Sequence, residues 1–279
     1  MRRYRYLLLN VFAETHFAGN PLAVFPDAEG LPDDRMQILA QQLNLSETTF
    51  VTPSTTADAA VRIFTPGYEL PFAGHPTLGT ASVVARRLGR ETLTLAMPAG
   101  IVPVRVEGEI ATLTAQPPRP RPAAPAADIA AALGLPPQAV SATPRWLNTG
   151  TEQLVVPLAD ATAVSACRPD RAAFEAIATN AVGVAQALVW AWDGDRIVAR
   201  FFWVQHGAIG EDYGTGSACA NLGGWWLDQH QPLPLAATLI QGQGIDRLAH
   251  LRLTVANDGT IQVGGRVVVI GEGEIIVPA

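Results

Sequence analysis

Two stretches, FAGHPTLGTASVVARRLG at 72–89 and YGTGSACANLGGWWLDQ at 213–229, each set a glycine-rich entry before a run of helical spacing. In the first, Leu78, Ala81, Val84, Ala85 and Leu88 share one face, arginines come late, and Gly89 supplies a stop. Gly214 follows Gly74 by about half the length of the chain. The segments around them recur in the same order: NPLAVF is answered by TEQLVVPL, RMQILAQQL by RAAFEAIATN, SETTFVTP by AQALVWAW, and AAVRIFTP by RIVARFFWV. Identity between the halves is weak, so the order of elements carries the reading. A chain written twice folds into two similar α+β domains, each with its own core. The alternative, two unrelated domains, is less favoured. At 279 residues there is enough chain for both.

The boundaries follow from composition. Residues 1–115 form the first domain, with a pair of strands around Gly19-Asn20-Pro21 and a helix over 32–43 that faces Met36, Leu39, Ala40 and Leu43 inward. QPPRPRPAAPAA, residues 116–127, has no periodicity and reads as a proline-rich linker. Residues 128–265 form the second domain. A final strand in 266–279, around VVVIGEGEIIV, is expected to return and pack on the first.

Composition excludes several classes of function. A net charge of −6 argues against nucleic-acid or anionic-membrane surfaces as partners. No apolar run approaches a membrane span, and Asn10 and Glu14 interrupt any leader-like stretch after MRRYRYLLL. Cys167 and Cys219 suit a reducing, cytoplasmic location. All 19 basic residues are arginine, which removes a Schiff-base or pyridoxal-anchoring lysine and a P-loop lysine. GHPTLGT carries Thr80 where a P-loop needs that lysine, and YGTGSAC carries Cys219 where a dinucleotide fingerprint needs glycine. His16, His206, His230 and His250 fall in unrelated elements, and no GxSxG occurs. The expectation is therefore no metal and no cofactor.

If the halves match, a pseudo-twofold would bring both glycine-rich helix starts to one cleft. Helix N-termini offer free amides and partial positive charge, which suits a carboxylate ligand. The titratable candidates each have an ordinary reading as well. Glu47 by spacing alone is a solvated carboxylate at a strand end. His75 could equally bond its own loop, Asp212 could be a plain helix N-terminal carboxylate, and Ser217 a first-turn residue without other task.

FAGNPLAVF, NLSETTFV, RIFTPGYELPFAGHPTLGTA and GEDYGTGSA, in this order, resemble the PhzF (phenazine biosynthesis) family over nearly the whole chain. The resemblance implies the diaminopimelate-epimerase-like fold, α+β, with two similar domains that each wrap an antiparallel barrel-like sheet around a central helix. It also implies a cofactor-free isomerase, a homodimer, and a small-molecule carboxylate as substrate, trans-2,3-dihydro-3-hydroxyanthranilate in the founding enzyme. By motif match, Glu47 is the proton-transferring acid/base, and His75 and Asp212 support proton transfer and contact the substrate's polar groups. Amides around Gly74, His75, Gly216 and Ser217 hold the carboxylate. The fold's racemases carry a thiol at each helix start. Those places read here as Ala73 and Tyr213, with Cys219 further along as a buried small residue, which disfavours a two-thiol racemase. The expected function is proton transfer on an unsaturated carboxylated small molecule. The alternatives are a racemase or epimerase of the same fold, or a catalytically silent binding protein.

Overall fold

A computed structural model of the chain describes residues 1–205 and 207–278. His206, one of the scattered histidines, lies outside the described residues. Two compact units emerge: residues 1–114 with 264–279, and residues 115–263.

The first unit contains strands β1 (Arg2–Val11) and β2 (Asn20–Phe25), helix α1 (Asp33–Leu43), strands β3 (Glu47–Thr52), β4 (Ala59–Phe64) and β5 (Glu69–Leu70), helix α2 (Gly74–Leu88), and strands β6 (Thr92–Met97), β7 (Gly100–Glu107) and β8 (Ile110–Thr114). The second contains β9 (Arg121–Pro122), α3 (Ala126–Ala132), β10 (Arg145–Asn148), β11 (Glu152–Pro157), α4 (Ala161–Ala166), α5 (Arg171–Ala178), β12 (Gln186–Asp193), β13 (Arg196–Gln205), β14 (Ala208–Glu211), α6 (Gly216–Asp228), β15 (Leu235–Gln241) and β16 (Ala249–Val255). The long β17 (Ile261–Val277) begins in the second unit and ends in the first, where Arg2↔Val277 to Val11↔Val267 pair it along β1.

In the first unit the pairings β1–β2, β2–β3, β3–β4, β4–β6, β6–β7, β7–β8, β8–β17 and β17–β1 close a ring. Helix α2 touches β1, β2, β3, β6, β7 and β8, so it fills the barrel. That explains its burial on nearly every side, from Gly74 through Ala85, far beyond the one-sided stripe read from the sequence. Leu88, expected on the buried face, is exposed, because the last turn leaves the barrel before the left-handed cap at Gly89. Gly79 lets the helix approach the wall: a Cβ there would lie 2.5 Å from Leu22 Cδ2. Helix α1 packs on the outer face, where Met36, Leu39 and Ala40 meet Phe25, Phe50 and Phe64.

The second unit repeats the pattern of strand directions. β10–β11, β12–β13 and β15–β16 are antiparallel, while β11–β12 and β13–β15 are parallel. The first unit has β2–β3 and β4–β6 parallel at the matching places. The sheets are therefore not antiparallel throughout. Each parallel pair is joined through a helical crossover, and a crossover returns the chain in the same direction. The repeat extends to side chains. Arg62 grips Glu69 through two hydrogen bonds of 2.7 Å and lies over Phe64, and Arg200 grips Glu211 at 3.0 and 2.6 Å and lies over Phe202.

Residues 116–127 are not a free linker. Arg121 and Pro122 pair with Trp146 and Arg145, the Arg119 amide donates to Asn148 at 3.0 Å, and α3 begins at Ala126. Proline fits a short edge strand because only one side of it needs donors. Proline content hid an element that has no periodic apolar pattern.

Candidate active site

Glu47 and His75 come together inside the first unit. The chain leaves α1 through Asn44 in the left-handed region and enters β3 directly, so Glu47 stands at the strand's first position beside Leu22 of β2. His75 is the second residue of α2, which starts three residues before the periodic run suggested, since proline is tolerated in a first turn. The His75 Nε2 lies 3.2 Å from Glu47 Oε2, with side chains 7% and 16% exposed. Burial pushes the imidazole down to about 3, and a hydrogen bond to the Pro21 main chain opposes this only weakly. His75 is therefore neutral at physiological pH. Proline has no N–H, so Pro21 offers a carbonyl and the imidazole is the donor. Because Nε2 faces the Glu47 carboxyl, the donating atom is Nδ1 and Nε2 keeps its lone pair. At 3.2 Å the Nε2 lone pair faces Glu47 Oε2, an arrangement that accommodates one proton between the two groups.

The first intrahelical bond of α2 runs from Thr77 to Ala73, which leaves the Gly74 and His75 amides at the helix start and, at Pro76, no donor at all.

Asp212, Gly216 and Ser217 belong to the second unit. Asp212 follows β14, and its Oδ1 accepts from the Tyr213 amide at 2.9 Å while its Oδ2 accepts from the Thr215 hydroxyl. Helix α6 begins at Gly216, with Cys219 bonded back to Thr215 at 3.0 Å. Thr215, not Tyr213, therefore precedes the helix in the place of Ala73. The stretch YGTG holds two glycines, and the helix starts at the second. Ser217 occupies the position of His75, and its hydroxyl accepts from Gln153 Nε2 at 2.9 Å.

Cys219 is wholly buried, and burial pushes its thiol far above the ordinary range; Cys167 is likewise raised, to about 11. Among the described residues, no group of three His, Cys, Asp or Glu side chains is placed to hold a metal ion, and no helix is long and apolar enough to cross a membrane.

Sequence reasoning missed the buried polar chain that supports the second helix start. Asn221 Oδ1 accepts from the Thr149 amide and hydroxyl, its Nδ2 donates to Gln153 Oε1 at 2.7 Å, and Gln153 then reaches Ser217. Gln241, also buried, bridges Asp212 and Thr215. The available signal was an amide side chain inside each of three apolar runs, EQLVVP, LAATLIQ and ACANLGG, where a buried polar group must have partners.

Residues 9–273 match the family model of phenazine biosynthesis-like proteins. An uncharacterized isomerase of Pasteurella multocida is 42% identical, the alignment covering 99% of this chain and 95% of that protein. The trans-2,3-dihydro-3-hydroxyanthranilate isomerase of Pseudomonas aeruginosa is 34% identical, over 97% of this chain and 96% of its own. The crystal structure of a phenazine biosynthesis protein of the PhzF family from Bacillus anthracis shares the fold with a TM-score of 0.88 at 24% identity, covering 99% of this chain and 100% of that one. With a strand barrel filled by a central helix in the first unit, the same pattern of strand directions in the second, and relatives of this similarity along its whole length, the chain belongs to the PhzC-PhzF, phenazine biosynthesis-like family of isomerases.

Proposed function

We propose that this isomerase moves a proton along an unsaturated, carboxylated small molecule, with Glu47 as the single acid/base. The observation that supports it is the 3.2 Å pairing of Glu47 with a buried, neutral His75. A carboxylate at Glu47 removes a proton from the carbon beside a conjugated system. The C–H electron pair shifts through that system, and the carboxyl returns the proton to another carbon. No electrons leave the substrate, so no redox partner is needed. Between removal and return the proton must be kept, and the Nε2 lone pair favours a protonated Glu47 over bulk water as its holder.

In the first unit the helix-start amides of Gly74 and His75, and in the second those of Gly216 and Ser217, are each proposed as a seat for a ligand carboxylate, and Asp212 as an acceptor from a polar substituent. The compound named for the Pseudomonas aeruginosa relative, trans-2,3-dihydro-3-hydroxyanthranilate, is the first substrate to try. Glu47→Gln keeps the shape and removes the shuttle. Turnover should fall by about 1,000-fold or more, at or beyond the upper part of the range for one general acid–base group, while ligand binding survives. Near-normal turnover by Glu47→Gln, of a substrate the wild type clearly converts, would make the carboxylate structural.

A further inference from the structure

Gln241 ends β15 with no exposed surface, yet its carboxamide is fully engaged. Its Nε2 donates to the Asp212 carbonyl at 2.9 Å and to Thr215 Oγ1 at 2.9 Å, and its Oε1 accepts from the Thr215 amide at 3.1 Å. Two main-chain groups settle which way the amide points: the Asp212 carbonyl can only accept and the Thr215 N–H can only donate. With Nε2 donating to Thr215 Oγ1, the hydroxyl proton is left to point at Asp212 Oδ2, where its bond is found. The Tyr213 amide holds the other carboxylate oxygen at 2.9 Å. One buried carboxamide thus sets a threonine hydroxyl, and through it the aim of a carboxylate.

The fold itself does not demand this. β15 pairs with β13 through Leu239↔Ile197 and Ile240↔Val198, and β6 pairs with β4 through Leu95↔Ala59 and Ala96↔Ala60. The residue one further along is Gln241 in the second unit and Met97 in the first. The same place in the same architecture takes a thioether where no carboxylate follows: the position matching Asp212, next after the arginine-gripped glutamate, is Leu70.

We infer that Gln241 is a positioning residue, acting through Thr215 to aim Asp212 at the substrate and to fix the start of α6. This rests on the proposed role of Asp212. Gln241→Met installs the residue of the matching position, of similar size, and should fold with a lowered melting temperature, since the Asp212 carbonyl and the Thr215 amide lose their partner. With trans-2,3-dihydro-3-hydroxyanthranilate as the probe, its kcat/KM should fall by about 100-fold, the scale of a misplaced contact. Gln241→Glu adds a pH signature. As a carboxylate it draws the Thr215 hydroxyl away from Asp212, and protonated it regains one donor, so activity should recover as pH falls while the wild type shows no such limb. Wild-type kcat/KM in Gln241→Met, or a wild-type pH profile in Gln241→Glu, overturns the inference. Wild-type protein that does not convert the probe counts against the proposed substrate alone. Amide hydrogen exchange without ligand then decides: Gln241→Met should speed exchange at Thr215 by about tenfold or more, the loss of one net hydrogen bond, and an unchanged rate refutes the clamp.

Discussion

The buried imidazole gives a stability prediction whose sign tests the proton count at Glu47. His75 is held neutral in the folded chain, its pKa lowered from 6.5 to about 3. The unfolded chain therefore takes up a proton between those values that the folded chain does not. The contribution is fully present above about pH 6.5 and is lost as pH falls toward 3. At about pH 5 the unfolded histidine is protonated across roughly 1.5 units, which at about 1.4 kcal/mol per unit comes to about 2 kcal/mol. The comparison is between wild type and His75→Asn, which does not titrate. Between about pH 7.5 and pH 5 the wild type should lose about 2 kcal/mol relative to the variant. All six tryptophans lie in residues 146–226, within the second unit, so indole fluorescence would miss the event. Urea titrations followed through NMR signals of Leu78 and Ala81 in α2 report on the right unit. Parallel pH profiles would mean an imidazole that titrates in the folded chain as it does in the unfolded one, and a wild type that gains stability on acidification would mean a charged imidazole paired with a Glu47 carboxylate. The single-proton arrangement would then be wrong.

Two further perturbations probe the second unit. Gly242 has φ +83, and a Cβ there would lie 2.1 Å from the Arg247 carbonyl oxygen and 2.9 Å from that of Tyr213. Gly242→Ala should cost about 2–4 kcal/mol by combining left-handed strain with overpacking, read as a lower urea midpoint by tryptophan fluorescence. Cys219 is buried with its thiol pushed far up, so a maleimide at neutral pH should leave it unmodified in the native protein, and Cys219→Ala should retain turnover. Loss of turnover on removing this sulfur would revive a thiol-based mechanism.

The repeated element order was legible because it depends on hydrophobic period and on glycine and proline punctuation, which the sequence displays directly. The central helices were less so. α2 is surrounded by strands, and no one-sided pattern announces a helix buried on all faces, which is why its first turn, with His75, read as a loop. β9 was missed because a two-residue edge strand containing proline has no alternation to detect. Glu47, on spacing alone a solvated strand-end carboxylate, is mostly shielded beside His75, and only the family motif singled it out. Gln153, Asn221 and Gln241 were invisible for another reason: an amide side chain in an apolar run reads as a lapse in the pattern until its partners are seen.

The two units show one architecture carrying two different sets of polar contacts at the start of the central helix. Each ties the second residue of its central helix to the second residue of the matching strand: His75 to Pro21, and Ser217 to Gln153. In the first unit the strand offers a main-chain carbonyl, and the helix brings an imidazole whose remaining nitrogen is free to face an acid. In the second the strand offers a side-chain amide, and the helix a hydroxyl, extended by Asn221 and Thr149 into a chain of fixed polarity. The first pairing leaves a lone pair turned toward Glu47, suited to keeping one proton. The second ties its polar side chains to one another and to the main chain. The asymmetry of Leu70 against Asp212, and of Met97 against Gln241, accompanies the same difference between the two central-helix starts.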